Sequence, residues 1–275
     1  RACASMDVVF HAASLTGVWG PLREYQTINV DGTRNVIDAC RAGEVPRLVY
    51  TSSPSVVFGR DDLCGVDESQ PYPDRFLAAY PKTKAEAERM VLAANDNSLS
   101  TVALRPHLIW GPGDPHLIPR VIDRARKGKL RQVGDGKNLV DITYIDNAAE
   151  AHLLAADSLC PSAICAGRAY FISQGQPVAL WPWLDQLLAA VGEPRVTKKI
   201  SPRMASLVGT TLEGVHKVFG LRREPLMTRF VANQLARSHY FDISAAKRDL
   251  GYVPRVSSQD GMEHLVEWLK RFPAR

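Results

Sequence analysis

Residues 47–51, with the sequence Arg-Leu-Val-Tyr-Thr, predict a short buried strand that runs directly into Ser52 and Ser53. The neighbouring segments alternate between strand and helix patterns: a strand at 7–11, a helix at 27–42, a helix at 80–95 and a strand at 100–105. Strands that alternate with helices at this spacing form right-handed βαβ units. The sequence therefore predicts an α/β fold with a parallel sheet.

Residues 60–79, which lie before the helix at 80–95, are rich in Asp, Gly and Pro and predict a loop. The pattern changes after the third strand. The second half predicts helices at 117–127, 146–157, 180–191 and 259–271, a short extended piece at 139–145 and a fourth strand at 169–173. No repeat or low-complexity linker separates the two halves, so we expect the second half to form a lid interlaced with the sheet.

The composition narrows the class of protein. The chain has 275 residues, 45% of them hydrophobic, and a formal net charge of +5, so it can bury a full core. No run of 18 apolar residues predicts a membrane span, and the basic residues are not interleaved with stacking aromatics, which argues against nucleic acid as a partner. Five scattered cysteines without metal-ligand spacing predict reduced thiols and a cytoplasmic protein with no metal site.

Three predicted strands end in polar or conformationally restricted residues. These ends are residues 11–13 (His-Ala-Ala), 51–53 (Thr-Ser-Ser) and 105–107 (Arg-Pro-His). Open parallel sheets bind their ligands at the carboxyl ends of the strands. We therefore expect the functional site at this edge.

A second pattern, Tyr80-Pro81-Lys82-Thr83-Lys84, opens the helix at 80–95. Positions i and i+4 share one helix face, so the Tyr80 phenol and the Lys84 ammonium are neighbours. A nearby ammonium favours the phenolate and brings the tyrosine toward acid/base behaviour near neutral pH. With the Ser53 hydroxyl holding a carbonyl or alcohol oxygen, this set suits hydride transfer.

The chain resembles the extended short-chain dehydrogenases, which include sugar-nucleotide epimerases and 3β-hydroxysteroid dehydrogenases. The matching motifs occur in family order at 9–13, 29–33, 50–53, 80–84, 105–113 and 144–148. Residues 17–20 (Gly-Val-Trp-Gly) and the tail from 241 to 269 are similar to the branch of 3β-hydroxysteroid dehydrogenases, sterol-4-carboxylate 3-dehydrogenases and 2-alkyl-3-oxoalkanoate reductases.

The resemblance implies a fold and a division of the chain. The fold is a Rossmann-like doubly wound parallel sheet that lacks its amino-terminal strands, with a smaller, mostly helical C-terminal substrate-binding region. Residues 1–115 would be the C-terminal part of the dinucleotide-binding domain, completed by elements near 139–175. Residues 116–275 would be mainly the substrate-binding and lid region.

The resemblance also implies roles for single residues. Tyr80 would be the acid/base, Lys84 the cation that holds the ribose, and Ser53 the hydroxyl that orients the substrate oxygen, while Asn29 would be a structural asparagine behind the site. The residues expected to contact NAD or NADP are His11, Ala12, Ala13, Thr51, Tyr80, Lys84, Pro106 and His107. Trp19, Ser53 and Arg105 are expected to contact substrate. For His11, packing at the strand end is an equally open alternative.

One feature departs from the family pattern. No glycine-rich turn, whose amides hold the cofactor pyrophosphate, precedes Asp7. We therefore expect the chain to be truncated at its amino terminus. The segment that distinguishes NAD from NADP would be missing with it, so the choice between them stays open.

The function expected from these observations is interconversion of a secondary alcohol and a ketone on a hydrophobic, steroid- or fatty-acid-like substrate. A sugar-nucleotide epimerase or dehydratase is one alternative, and a catalytically idle NAD(P)-binding scaffold is another. Residues 201–230 are amphipathic, which fits core packing or a peripheral contact with a membrane. A homodimer is also compatible with the sequence.

Overall fold

A computed structural model describes residues 3–272, and a parallel sheet of four strands lies at its centre. The strands are β1 Val9–His11, β2 Arg47–Thr51, β3 Leu63–Val66, β4 Ser100–Pro106, β5 Ile109–Trp110, β6 Gln132–Val133, β7 Leu139–Val140, β8 Thr143–Tyr144, β9 Arg168–Ile172, β10 Val178–Ala179, β11 Lys199–Ile200 and β12 His239–Phe241. The α-helices are α1 Leu22–Tyr25, α2 Gly32–Ala42, α3 Ala79–Ala93, α4 Leu117–Arg126, α5 Ile145–Ser158, α6 Leu180–Ala190, α7 Pro202–Val218, α8 Arg229–Ala236, α9 Ser244–Leu250 and α10 Ser258–Arg271. A π-helix at Gln26–Asp31 joins α1 to α2, and a 3-10 helix covers Pro54–Val57.

The central sheet has the strand order β1-β2-β4-β9, and every neighbouring pair is parallel. The register aligns Tyr50 with Ala103 and Leu104 with Tyr170. All seven residues of β4 are buried, as expected for an inner strand covered by helices on both faces. The predicted α/β class and parallel sheet are confirmed.

Apolar side chains fill both faces of the sheet. On one face α2 and α3 cover Leu48 and Tyr50, with Ile37 and Val91 in the same cluster. On the other face, Ala151 and Ala155 of α5 pack in the cluster that contains Val49, Leu104 and Phe171. Helices therefore cover both faces of β2 and β4, and the carboxyl ends of these strands lie at one edge of the sheet.

A second sheet, in the order β10-β7-β12-β3, was not expected from the sequence. Residues 60–79 were predicted as a loop, but β3 lies within them and pairs in parallel with β12. This pairing joins segments from opposite ends of the chain, and local composition around Cys64 and Gly65 gives no sign of it. It ties the C-terminal region to the segment that follows Ser53.

Helices α7 and α8 pack against each other beside this sheet. Gly209 permits the close approach, because a Cβ atom there would lie 2.7 Å from the carbonyl carbon of Thr228. The outer face of α7 and the turn after it expose large apolar side chains, with Leu207 at 60%, Val218 at 79% and Phe219 at 72%. Core packing therefore does not account for these side chains. None of the helices within residues 3–272 has the length and apolar character needed to cross a membrane.

Candidate active site

The start of α3 places three polar side chains on one helix face. Residue Ala78 is extended, and Pro81 falls in the first helical turn, where a missing N–H costs no hydrogen bond. Tyr80, Lys84 and Glu88 follow at successive steps of four residues and therefore share the face that covers the sheet. Lys84 and Glu88 are buried, and Tyr80 is partly buried.

The Lys84 amine is held against β2. Its Nζ donates to the Thr51 carbonyl oxygen at 2.6 Å and lies 4.2 Å from the centre of the Tyr50 ring. Burial lowers the pKa of Lys84 to about 7, because a charged amine loses its hydration there, and the Glu88 carboxylate opposes this shift. The amine therefore titrates near neutral pH.

The Tyr80 phenol shows a shift opposite to the one expected from a neighbouring ammonium. Burial raises the pKa of Tyr80, and a hydrogen bond with the Ser53 hydroxyl lowers it by less. The Lys84 amine contacts the Tyr50 ring and the Thr51 carbonyl instead of the Tyr80 phenol. In this state the phenol holds its proton at neutral pH.

Ser53 lies where β2 ends and the 3-10 helix begins. Its Oγ accepts a hydrogen bond from the Ser55 amide at 3.2 Å and lies 2.9 Å from Ser55 Oγ. These contacts fix the hydroxyl beside Tyr80. The structure thus brings Ser53, Tyr80 and Lys84 together at the carboxyl edge of the sheet.

Asn29 supports this group from behind. Its Nδ2 donates to Thr83 Oγ1 at 3.1 Å and to the Leu15 carbonyl at 3.1 Å, and its Oδ1 accepts from the Leu15 amide at 2.7 Å. Asn29 lies in the π-helix, a distortion that occurs often at functional sites. The buried amide joins the loop after β1 to the helix that carries Tyr80, which agrees with its expected structural role.

Arg105 does not lie where the sequence suggested. Its guanidinium donates to the Glu88 carboxylate through Nε at 2.9 Å and through Nη2 at 2.7 Å, and both side chains are buried. Tyr72 Oη also donates to Glu88 at 2.6 Å, and the Phe171 ring lies 5.0 Å from the guanidinium. The expected substrate contact of Arg105 is therefore corrected: the strand-end position suggested a ligand site, but the side chain points into the protein toward α3.

His11 also packs inside the protein. Thr33 Oγ1 donates to the Asn29 carbonyl at 2.6 Å, so it accepts from His11 Nε2 at 2.9 Å. Burial, followed by the Lys84 charge, lowers the pKa of His11 to about 4. The packing alternative fits His11 better than a side-chain contact with cofactor. Ala12 and Ala13, by contrast, are exposed at the strand end and leave it open.

Thr51 and Pro106 are two further residues that are expected to contact the cofactor. Thr51 offers its carbonyl to Lys84, while its hydroxyl lies 2.7 Å from His152 Nε2. Pro106 is buried and aligned with Ile172 of β9. The contacts expected for Thr51 and Pro106 stay predictions.

The His107 side chain belongs to a buried series of hydrogen bonds that leads into the C-terminal region. Its Nε2 lies 2.6 Å from His239 Nδ1, and His239 Nε2 lies 3.0 Å from the Gln234 carbonyl. A carbonyl can only accept, so for neutral rings each imidazole donates through Nε2. Burial lowers the pKa of both histidines, which keeps them neutral. The His107 ring therefore faces the Phe58 and Phe241 rings instead of the open strand edge.

Trp19 links the loop after β1 to the segment after α7. Its indole Nε1 donates to the Leu221 carbonyl at 3.0 Å, and its ring meets the edge of His216 at 5.7 Å. Tyr25 Oη donates to the Trp19 carbonyl, and the Tyr25 ring lies 3.1 Å from where a Cβ of Gly20 would be. These contacts attach the loop at 17–20 to Tyr25 and to the segment after α7, and the pocket-lining role of Trp19 stays a prediction.

Glu88 and Thr83 also belong to the site, although the sequence motifs did not single them out. The signal for Glu88 was available, because the step of four residues from Tyr80 to Lys84 continues to it. Thr83 would have been harder to find, since its hydroxyl acts on Asn29 from a distant segment. Within the described residues, no group of three His, Cys, Asp or Glu side chains is arranged to hold a metal ion.

The site residues can be tested against a nicotinamide dinucleotide. The small exposed side chains that follow β1 leave room at the strand edge. The buried Lys84 amine uses only one of its hydrogen-bond donors, in the bond to the Thr51 carbonyl. Its remaining donors suit ribose hydroxyls. These residues fit the nicotinamide side of such a cofactor, and the turn that would hold the pyrophosphate does not occur in this sequence.

The parallel sheet and the Ser-Tyr-Lys group at its carboxyl edge define an extended short-chain dehydrogenase/reductase, an oxidoreductase class. The model of the 3-beta hydroxysteroid dehydrogenase/isomerase family matches residues 1–201. The chain belongs to this family.

Comparisons with individual proteins agree. The chain is 53% identical to a 2-alkyl-3-oxoalkanoate reductase of Stenotrophomonas maltophilia over 96% of this chain and 81% of that protein. It is 41% identical to the sterol-4-alpha-carboxylate 3-dehydrogenase erg26 of Schizosaccharomyces pombe over 95% of this chain and 77% of that protein. Among solved structures, MoeE5 in complex with UDP-glucuronic acid and NAD is similar with a TM-score of 0.71 and 27% identity, over 98% of this chain and 81% of that one. These matches do not support the expected truncation, which stays a prediction.

Proposed function

We propose that this chain interconverts a secondary alcohol and a ketone on a hydrophobic substrate, with Tyr80 as the group that exchanges a proton with the substrate oxygen. The observation that carries the proposal is the placement of the Ser53 hydroxyl next to the Tyr80 phenol, with the Lys84 amine buried one helical turn along the same helix face. Two hydroxyls side by side can hold one oxygen between them. A buried amine near neutral pKa supplies a charge that can change within the working range of pH.

The roles of the residues follow from their protonation states. The dinucleotide, when bound, supplies or takes up the hydride at the substrate carbon. The Ser53 hydroxyl orients the substrate oxygen, and the Tyr80 phenol gives that oxygen its proton during reduction. Because burial raises the pKa of Tyr80, the protonated phenol is ready to donate at neutral pH. Oxidation needs the phenolate and is therefore favoured by higher pH.

The proposed cofactor is NAD or NADP, held by Lys84 and by the open strand end at Ala12 and Ala13. Support comes from the similarity to MoeE5, which was solved with NAD bound. Lys84 would bind the ribose hydroxyls with the donors that Thr51 does not use.

The proposed substrate is a hydrophobic 3-hydroxy or 3-oxo compound. The relatives named for 2-alkyl-3-oxoalkanoate and for sterol-4-alpha-carboxylate support this class, since both names describe apolar molecules that carry a carboxylate. Trp19 would line the pocket. The sugar-nucleotide epimerase alternative is less well supported, because the similarity to MoeE5 is much lower than that to the reductase.

We also propose that residues 201–230 make a peripheral contact with a membrane surface, which would bring the enzyme to a lipid-like substrate from the cytoplasm. The exposed apolar side chains of α7 and the turn after it, including Val218 and Phe219, have Lys217, Arg222 and Arg223 beside them in the chain. Flotation with anionic vesicles tests this, and the double variant Val218→Ser/Phe219→Ser should float less than the parent protein. A homodimer stays a prediction for sedimentation to test.

The variant Tyr80→Phe tests the proposed reaction. It keeps the ring and removes only the hydroxyl, so turnover should fall by about 100-fold or more while the thermal midpoint changes little. Turnover of a 2-alkyl-3-hydroxy acid with NAD or NADP, followed by absorbance at the reduced nicotinamide band, is the measurement. Unchanged turnover in Tyr80→Phe would remove the proposed mechanism.

A further inference from the structure

Four arginines from separate segments line one open cleft of about 490 Å³, here called the arginine cleft. Arg60 follows the 3-10 helix that begins after Ser53, and Arg203 lies in the first turn of α7. Arg229 begins α8, and Arg237 follows its end. Side chains distant in sequence therefore bring positive charge to one concave surface.

The arginine cleft contains more arginine side chains than acidic partners for them. Arg229 is held by Glu213, with Nε 2.9 Å from Oε2, and Arg237 lies 3.7 Å from Asp62. Within residues 3–272, the guanidinium groups of Arg60 and Arg203 have neither a hydrogen bond nor an ion pair. Like charges that share a cleft repel each other, so an anion bound between them gains from both.

Two of the segments that line the arginine cleft are continuous in sequence with Ser53 and Tyr80. Leu77 lines it and precedes Tyr80 by three residues, so their Cα atoms lie within about 11 Å. Asn233, also in the lining, donates through Nδ2 to the Gly59 carbonyl at 3.2 Å. This bond holds α8 against the chain that leads away from Ser53.

We propose that the arginine cleft binds an anionic group of the substrate through paired guanidinium contacts. Guanidinium groups bind carboxylates and phosphates with two parallel hydrogen bonds, and the apolar Leu77 and Ala232 offer a wall for the adjoining hydrocarbon. The anion is the carboxylate of a 3-hydroxy or 3-oxo acid, or a phosphate of the coenzyme A group in its coenzyme A thioester. The inference rests on the proposed function, because it takes the ligand to be the substrate of Tyr80.

Calorimetric titration separates these sources. The ligands are a 2-alkyl-3-hydroxy acid, its methyl ester and its coenzyme A thioester, and the proteins are the parent chain, Arg60→Gln, Arg203→Gln and the control Arg131→Gln. Arg131 is exposed and does not line the cleft. Loss of one charged contact should weaken binding of the acid by about tenfold in either cleft variant. The methyl ester should bind to each cleft variant as tightly as it binds to the parent chain. The control Arg131→Gln should bind each ligand with the affinity of the parent chain.

The outcomes decide the inference independently of catalysis. Weaker binding of the acid alone supports the carboxylate, and weaker binding of the thioester alone supports the phosphate. Equal weakening of acid and ester, or no change for either anionic ligand, overturns the arginine cleft as the anion site. Arginine-dependent binding without any alcohol oxidation by the parent chain would instead remove the proposed function and keep the cleft.

Discussion

Two ion pairs with the same chemistry lie in contrasting parts of the molecule. Arg105 and Glu88, beneath the catalytic helix, form two hydrogen bonds of 2.9 and 2.7 Å, and their side chains are 4% and 0% exposed. Arg120 and Glu224 form two of 2.9 and 3.0 Å between α4 and the segment before α8, and their side chains are 45% and 24% exposed. The geometry is nearly the same, but the solvent around the charges differs.

This difference separates the sheet from the C-terminal region. Beneath the catalytic residues, each buried polar group depends on its neighbours, as Glu88 serves Arg105 and Tyr72 and also opposes the shift of Lys84. The Arg120–Glu224 pair before α8 is in contact with water, so its charges can exchange partners with little penalty. The first arrangement suits a site whose geometry must not change, and the second suits a surface that receives ligands.

The largest effect is expected from Lys84→Met, which removes the buried amine that α3 places against β2. Turnover should fall by about 100- to 10,000-fold, since the phenol loses its neighbouring amine and the cofactor one of its proposed contacts. The control is Lys82→Met, which changes an exposed lysine of the same helix. Equal turnover in both variants would mean that Lys84 has no part in the reaction.

The same variant has an opposite effect on stability. The folded pKa of Lys84 is about 7, below its ordinary 10.5, so between these values the unfolded chain binds more protons. The penalty for burying the charge is complete below pH 7 and is relieved as pH rises toward 10.5. Lys84→Met should therefore raise the free energy of unfolding more at pH 6 than at pH 10, as measured by urea denaturation.

The second prediction compares the two ion pairs directly. Arg105→Met leaves the Glu88 charge buried without its partner and should cost about 3–5 kcal/mol of unfolding free energy. Arg120→Met exposes Glu224 to water and should cost about 0–1 kcal/mol. Similar losses in urea denaturation would show that burial does not distinguish the two regions.

The third prediction concerns Asp141, where the second sheet meets the first. Its Oδ2 accepts from the Phe241 amide at 2.9 Å, yet burial raises the pKa of Asp141 to about 6. The folded state thus binds the extra proton between pH 3.8 and 6, and stability from this group is lost as pH rises through that window. Asp141→Asn should add up to about 3 kcal/mol at pH 8 and none at pH 4.

The control for that variant is Asp135→Asn, at an exposed turn position. Thermal denaturation at the two pH values is the measurement. A gain that does not depend on pH would assign the effect to packing instead of charge.

The smallest effect is expected from Trp19→Phe in the loop that meets the C-terminal region. The substitution keeps an aromatic ring and removes the hydrogen bond to the Leu221 carbonyl. Because this bond is exposed, the KM for substrate should rise by about two- to threefold with kcat unchanged. Trp268→Phe, far along the chain in α10, serves as the comparison, and a lower kcat in Trp19→Phe would point to a part in the chemical step.

The strands and helices of the central sheet could be predicted closely because their patterns are local. The strand at 47–51 is β2 as observed, and the helix at 80–95 differs from α3 by one residue at its start and two at its end. β3 and β12 could not be found in this way, since each is short and its strand partners lie far away in the sequence. Apolar periodicity carries no information about such distant partners.

The candidate site was predictable in its position but not in its electrostatics. The order of Ser53, Tyr80 and Lys84 along the chain places them at one sheet edge. The direction of a pKa shift depends on the balance between burial and charge, and for Tyr80 burial prevails. Arg105 was misassigned because a strand end shows where a residue lies, while the side chain turned to a glutamate on the neighbouring helix.

The bond from Lys84 to the Thr51 carbonyl has a consequence for how the chain folds. β2, β4 and β9 pair in parallel across long intervening segments, and topologies of this kind fold slowly, in about milliseconds to seconds. The amine is desolvated only when α3 docks on β2, so at pH 8 to 9 that step expels a proton. A pH-indicator dye in a stopped-flow experiment would therefore register the moment at which the active site closes onto the sheet.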